Sequence, residues 1–312
     1  MKTKRAHSEE QFGEQRDFWW RPDFLRVMAE RWRLSDASSL VDVGCGLGHW
    51  SMLLYPFLKA NATLVAIDPE TKWIKEAPAR FFARFPSVNR ERFTFKRGDA
   101  KALPLPSDTY DVVTCQTVLM HLGDPFGALR EMVRIAKPGG IIIAAEPNNL
   151  FNIMAFSSIT ADEPVDSIVQ RFEFWLRYHR GRKLAGAGDH TIGDLLPGMF
   201  GRLGLRDIAV TLSDRAAPLI PPYESQEQRV LIKQAKEWKK TESGPYDAKT
   251  LLQYAAAGGA GKELLENGIR LIIGLMNEEL TGIEKKTFHT AGGGMHYLVS
   301  GRKPLPKGKQ SG

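Results

Sequence analysis

The residues best suited to chemistry lie in the glycine-rich stretch Val41-Asp42-Val43-Gly44-Cys45-Gly46-Leu47-Gly48. Its three glycines let the backbone pass close to a ligand, where any Cβ atom would collide. A helix is predicted to begin directly after this turn, and the exposed amides at its start suit an anionic group such as a carboxylate. Taken alone, the turn also fits a dinucleotide site or an ordinary tight turn.

Two later carboxylates strengthen the interpretation as a ligand site. Asp68 ends a second apolar run, twenty residues beyond Gly48, where a carboxylate can take both hydroxyls of a ribose. Asp99 lies in the step Gly98-Asp99-Ala100 after a third apolar run, and this step offers a carboxylate and a free amide to an adenine edge. Each acid also has a structural alternative, because Asp68 precedes a proline that suits a helix start and Asp99 could cap a short turn.

The elements that must position these residues alternate regularly along the chain. Short apolar strands separated by helices indicate a parallel sheet covered on both faces, and ligands of such sheets bind at the carboxyl ends of the strands. The predicted strands are Leu40–Val43, Thr63–Ile67, Phe93–Lys96, Asp111–Cys115, Ile141–Ala145, Leu205–Leu212 and Met295–Ser300.

Five sequence motifs, in their order, resemble those of the class I S-adenosylmethionine-dependent methyltransferases. They are VDVGCGLG, VAIDPE, the GDA step, DVVTCQTVLMHL and AKPGGIIIAAEP, between about residues 39 and 147. The match is similar to the broad small-molecule branch of that family. The resemblance implies an α/β fold with a Rossmann-like, seven-stranded, mostly parallel sheet, helices on both faces and an antiparallel last strand. It also implies S-adenosyl-L-methionine as the cofactor and S-adenosyl-L-homocysteine as the product.

The resemblance carries the glycine turn over to the methionine part of the cofactor. Gly44 and Gly46 would border that part, with Cys45 between them. Asp42 would orient the turn or meet the cofactor's amino group through water, although it could equally cap the turn. As thiols, Cys45 and Cys115 are expected to be packing residues rather than nucleophiles.

The other cofactor-binding residues follow from the same resemblance. Asp68 would hold the ribose, whereas Asp99 and Ala100 would read the adenine. Gln116 and Thr117 would contact the methionine part near the reacting methyl group.

His121 is the candidate catalytic residue. It follows the fourth predicted strand in VLMHL, and from there a side chain could reach the methyl acceptor as a base. A histidine at this position can also be purely structural, so both interpretations stay open.

The predicted domain organisation has four parts. Residues 1–38 form an N-terminal helical cap, and residues 39–212 together with 295–303 form the Rossmann-like domain. Residues 213–294 form a helical insertion, with helices near 224–240 and 261–280. We interpret this segment as an insertion because about 80 residues are far too many for an ordinary connection between strands. This insertion is interpreted as a lid or substrate region, and residues 304–312 as a flexible tail.

The composition of the chain indicates its general class and its expected partners. The 312 residues carry a formal charge of +7 and only two cysteines, with 43% hydrophobic and 25% charged residues. This composition is typical of a globular protein with reduced thiols, so a cytoplasmic location is expected. We expect no membrane span, no metal site and no nucleic-acid partner, while the oligomeric state is not indicated.

The predicted function is methyl transfer to a small-molecule acceptor by in-line displacement. In such a reaction, orientation of the reactants alone can lower the activation barrier by ~7–11 kcal/mol. RNA or lipid methylation and a non-catalytic S-adenosylmethionine-binding module are alternatives. A nucleotide-dependent oxidoreductase is disfavoured, because the turn reads Gly-x-Gly-x-Gly rather than Gly-x-Gly-x-x-Gly.

Overall fold

A computed structural model describes residues 13–240 and 247–306 of the chain. Residues 1–12 of the predicted N-terminal cap, residues 241–246 of the predicted insertion and residues 307–312 of the predicted tail lie outside the described residues.

Seven strands form one mixed sheet. Its order is β3-β2-β1-β4-β5-β7-β6; β1 to β5 run parallel, and β7 is antiparallel to both of its neighbours. The predicted fold class is therefore confirmed. The strands are β1 (Ser39–Val43), β2 (Thr63–Asp68), β3 (Phe93–Arg97), β4 (Tyr110–Gln116), β5 (Ala136–Pro147), β6 (Arg206–Leu212) and β7 (His296–Arg302).

Nine α-helices accompany the sheet within the described residues. They are α1 (Pro22–Trp32), α2 (His49–Leu54), α3 (Thr71–Arg84), α4 (Pro125–Ile135), α5 (Val165–Leu184), α6 (Leu196–Arg202), α7 (Gln226–Lys239), α8 (Ala248–Ala257) and α9 (Lys262–Glu284).

Local sequence signals explain where several helices begin. The Asp124 side chain accepts a hydrogen bond from the Gly127 N–H at 2.8 Å, and Pro125 opens α4, as the cap-then-proline pattern predicts. Ser225 begins α7 with a full capping box to Gln228.

The chain divides into two units. The sheet unit comprises Trp20–Pro147, Ile192–Ser213 and His296–Gly312, and the helical unit comprises Met1–Trp19, Asn148–Thr191 and Asp214–Met295, as far as these ranges are described.

The division differs from the predicted boundaries in two places. Residues 148–191 belong to the helical unit rather than the sheet domain, because Phe174 and Tyr178 of α5 form a buried core with Leu251 of α8 and Ile272 of α9. The segment 20–38 belongs to the sheet unit instead of forming a separate cap. The role of the helical unit as a lid stays a prediction.

The core of the sheet unit lies against its central strands. Val41 of β1, Val113 of β4 and Ile142 of β5 are fully buried, as expected for parallel strands covered on both faces. The carboxyl ends of β1 to β5 therefore share one edge of a rigid sheet, and the candidate residues follow these ends.

Candidate functional site

The glycine turn leaves the carboxyl end of β1 in an unusual backbone conformation. Gly44, Gly46 and Gly48 all have positive φ angles, of 72°, 52° and 80°. The Gly44 N–H donates to the carbonyl oxygen of Ile67 in β2 at 2.7 Å. A Cβ atom on Gly44 would collide with the Val118 side chain, so glycine is required there for close packing as well as for φ.

Asp68 ties the end of β2 to this turn. Its Oδ2 atom accepts the Gly46 N–H at 2.9 Å, and its Oδ1 atom accepts the Glu70 N–H at 2.9 Å. Burial raises the pKa of this carboxyl, and the two backbone N–H groups offset part of that rise. Each carboxylate oxygen can still accept a further hydrogen bond, which suits the hydroxyls of a ribose.

Asp42 and Cys45 are buried on either side of the turn's first glycine. The Asp42 carboxylate accepts a hydrogen bond from the Ser51 hydroxyl at 2.5 Å, which joins β1 to α2. Burial raises the pKa of the Cys45 thiol, with further contributions from Asp42 and Asp68. Cys45 therefore stays protonated, in agreement with the expectation that it is not a nucleophile.

Asp99 and Ala100 occupy the turn after β3. The Asp99 side chain is exposed, and its Oδ1 atom accepts the Lys101 N–H at 2.9 Å. Ala100 is buried against the core of the sheet unit. The structure thus contains the short capped turn considered for Asp99, and the Oδ2 atom of Asp99 lies 3.9 Å from the Lys101 ammonium group.

The end of β4 carries a polar group that the protein itself does not satisfy. Gln116 is 5% exposed, and neither its Oε1 nor its Nε2 atom has a hydrogen-bond partner within the described residues. Thr117 follows with φ of 52°, a strained value for a β-branched residue, and its hydroxyl donates to the Gln116 carbonyl. Buried unsatisfied amides and strained backbone are typical of ligand sites.

Glu146, at the end of β5, holds the segment after β4, and the sequence analysis did not assign it. Its Oε1 atom accepts the N–H groups of Val118 and Leu119, both at 2.8 Å, and its Oε2 atom accepts that of Met120 at 3.1 Å. Burial raises the pKa of Glu146 to about 7, although the three N–H groups oppose the shift. The sequence signal that could have identified Glu146 is its position as an acid at the end of the apolar run Ile141–Ala145.

His121 ends a short 3-10 turn, Leu119–His121, directly after the segment that Glu146 holds. Its side chain is partly buried. Its part in proton transfer stays a prediction.

Across residues 13–240 and 247–306, no group of three or more His, Cys, Asp or Glu side chains could hold a metal ion. No helix in the same ranges is long and apolar enough to cross a membrane.

These observations fit the cofactor implied by the sequence motifs. Gly44 at the end of β1, Asp68 at the end of β2 and Gln116 at the end of β4 all lie at the carboxyl edge of the sheet. The Gly46–Asp68 hydrogen bond holds the turn and the Asp68 carboxylate together, and neither polar atom of the Gln116 amide has a partner in the described part of the chain.

Comparison with known proteins supports a methyltransferase domain. A family model described as a methyltransferase domain matches residues 41–144, one third of the chain. A demethylmenaquinone methyltransferase of Shouchella clausii is 27% identical over 199 residues, which are 61% of this chain and 78% of that protein.

A second relative is also named as a methyltransferase, and a solved structure shares the fold. A 2-methyl-6-phytyl-1,4-hydroquinone methyltransferase of Synechocystis is 32% identical over 130 residues, 40% of this chain, and the chain spans only 38% of its length. The structure of a Bacillus halodurans protein described as a candidate methyltransferase shares the fold, with a TM-score of 0.50, 16% identity and coverage of 90% of this chain and 99% of that one. These findings support a methyltransferase domain at residues 41–144, and they agree with the resemblance of the sequence motifs to the class I S-adenosylmethionine-dependent methyltransferases.

Proposed function

We propose that this protein transfers the methyl group of S-adenosylmethionine to a small organic molecule by in-line displacement. The observation that carries the proposal is the hydrogen bond from the Gly46 N–H to the Asp68 carboxylate. This bond joins the glycine turn to the acid that we expect to bind the ribose. An acid and a glycine turn at one sheet edge form the binding pattern for a nucleoside attached to a short charged chain.

Each part of the cofactor has residues of matching chemistry. Asp68 accepts hydrogen bonds from the ribose hydroxyls, while Asp99 and Ala100 contact the adenine. Gly44, Cys45 and Gly46 border the methionine part, which also meets Gln116 and Thr117; Asp42 keeps the turn in place through Ser51.

The chemistry demands little of the protein beyond orientation. S-adenosylmethionine supplies an electrophilic methyl group on a sulfonium centre. The rigid sheet edge holds the reacting groups in line, and such orientation lowers the activation free energy by ~7–11 kcal/mol in favourable cases. Where the acceptor is a hydroxyl or a protonated amine, His121 takes its proton.

The acceptor class rests on the relatives. The two curated relatives described above are named for methylation of demethylmenaquinone and of a 1,4-hydroquinone that carries a phytyl chain, and both substrates are ring compounds of the quinone type. Ring compounds of the quinone and hydroquinone type are therefore the first acceptors to screen. Two buried cysteines, both free, fit the predicted cytoplasmic location.

The test is a calorimetric titration of the full chain with S-adenosylmethionine, S-adenosylhomocysteine and NAD. We expect only the two sulfur compounds to bind. Their dissociation constants should be in the micromolar range, which corresponds to a binding free energy on the order of −8 kcal/mol. Asp68→Ala should weaken both by roughly tenfold or more, since hydrogen bonds to a charged group are lost.

The matched control is Asp162→Ala, which removes an exposed carboxylate of the helical unit and should leave both affinities unchanged. Binding of NAD without binding of either sulfur compound would contradict the proposal. With the cofactor established, transfer of labelled methyl to ring compounds tests catalysis.

A further inference from the structure

The helical unit contains a cavity that the methyl-transfer proposal does not use. Its volume is about 440 Å³, within the range of small-molecule pockets. Three of the rings that line it belong to Trp175, Tyr178 and Trp238, and much of the remaining wall is aliphatic. The size and lining suit a compact ring compound.

One charged group in this lining is already neutralised. The Arg171 guanidinium forms an ion pair with Glu163 at 2.6 Å, and both side chains are close to fully buried. Its Nη1 atom also donates to the Ile153 carbonyl oxygen. Arg171 therefore adds little net positive charge to the cavity.

His179 contributes an uncharged polar group. It is 7% exposed, and its Nδ1 atom has no hydrogen-bond partner in the described part of the chain. Burial, together with the positive charge of Arg182, lowers its pKa to about 4 despite the opposing effect of Asp189. The ring is therefore neutral near pH 7 and offers a hydrogen bond without adding a cation.

Glu279 of α9 is the charged group in the lining that is not neutralised. No ion pair or hydrogen bond to its carboxylate occurs within residues 13–240 and 247–306, and burial raises its pKa. A partly buried carboxylate without a cation is costly unless a ligand supplies one.

From the unpaired Glu279 carboxylate, the unpartnered Nδ1 of His179 and the surrounding aromatic rings, we infer that this cavity binds a small ring compound that carries a protonated amine. Glu279 forms the ion pair with the ammonium group. The aromatic rings contact the apolar body and attract the cation through their π faces. An anion is repelled by Glu279, and a neutral compound leaves its charge unpaired.

The test uses three probes that share an indole ring and differ in charge: tryptamine, tryptophol and indole-3-acetate. Their binding to the full chain is measured by calorimetry at mildly alkaline pH, where the amine is protonated and ionisation of the carboxyl is favoured. We expect tryptamine to bind roughly tenfold or more tightly than tryptophol, and indole-3-acetate to bind least.

Two variants on the same helix locate the interaction. Glu279→Gln keeps the shape of the side chain, removes its charge and should weaken tryptamine binding by roughly 10- to 100-fold. Glu278→Gln changes an exposed neighbour and should leave that binding unchanged.

Three results would overturn the inference: no binding of any probe, equal binding of tryptamine and tryptophol, or equal tryptamine binding by Glu279→Gln and the unaltered chain. Because the readout is binding rather than methyl transfer, these results would leave the methyltransferase proposal untouched.

Discussion

Replacing Glu146 with glutamine should change how the free energy of unfolding depends on pH. Glu146 is fully buried, and burial raises its pKa from an ordinary 4.5 to about 7. In the unfolded chain the same carboxyl titrates near its ordinary value. Between these two pH values the native state therefore binds the proton more tightly than the unfolded state does.

The sign of the effect follows from this difference. The stability contributed by protonated Glu146 is fully present below about pH 4.5 and is lost as the pH rises through about 7. Since one pKa unit corresponds to about 1.4 kcal/mol, the loss amounts to about 3 kcal/mol. The glutamine side chain of Glu146→Gln does not titrate. The free energy of unfolding of the unaltered chain, relative to that of this variant, should therefore fall by about that amount as the pH rises from below 4.5 to above 7.

The assay is urea unfolding of both proteins, followed by tryptophan fluorescence, at about pH 5 and about pH 8. Glu76→Gln, which changes an exposed glutamate of α3, is the matched control and should not alter the pH dependence. A free-energy difference between Glu146→Gln and the unaltered chain that is the same at both pH values would refute this reasoning.

Three further predictions concern the same edge of the sheet. Gly44→Ala and Gly48→Ala should each cost about 1 kcal/mol for a positive φ. Gly44→Ala should lose about 1–3 kcal/mol more through its collision, which urea unfolding of the two variants would show. Gln116→Leu should keep or raise stability, by up to about 1–3 kcal/mol, while weakening S-adenosylmethionine binding in calorimetry, because its amide has no partner within the described residues; a marked loss of stability would contradict this. Burial raises the pKa of both thiols, so Cys45 and Cys115 should react with an aromatic disulfide reagent only after unfolding; rapid reaction of the native protein would disprove it.

Much of the fold could be read from local patterns. Short apolar runs that end in glycine or aspartate, with helical stretches between them, specify parallel strands joined by helices. All seven predicted strands were observed, with ends within a few residues of the predicted ones; β5 differed most, since it begins at Ala136 instead of Ile141. Helix α8 was missed, although Asp247 caps it by accepting the Thr250 N–H.

The position of the glycine turn and of Asp68 could also be predicted, because both follow strand ends that are recognisable in the sequence. The hydrogen bond between Gly46 and Asp68 spans 22 residues and depends on the pairing of β1 with β2. The sequence indicated which residues meet at this edge. Their hydrogen bonds required the sheet itself.

Tertiary structure alone decided three features. Glu146 binds backbone groups 26 to 28 residues away, a contact that exists only because β4 and β5 are neighbours. Residues 148–191 belong to the helical unit, because side chains of α5 pack against helical residues more than 70 positions later in the chain. The unpaired Glu279 carboxylate shares a cavity with His179, a hundred residues earlier. Local sequence specifies the conformation of each segment, but the partners of its side chains depend on which distant segments pack against it.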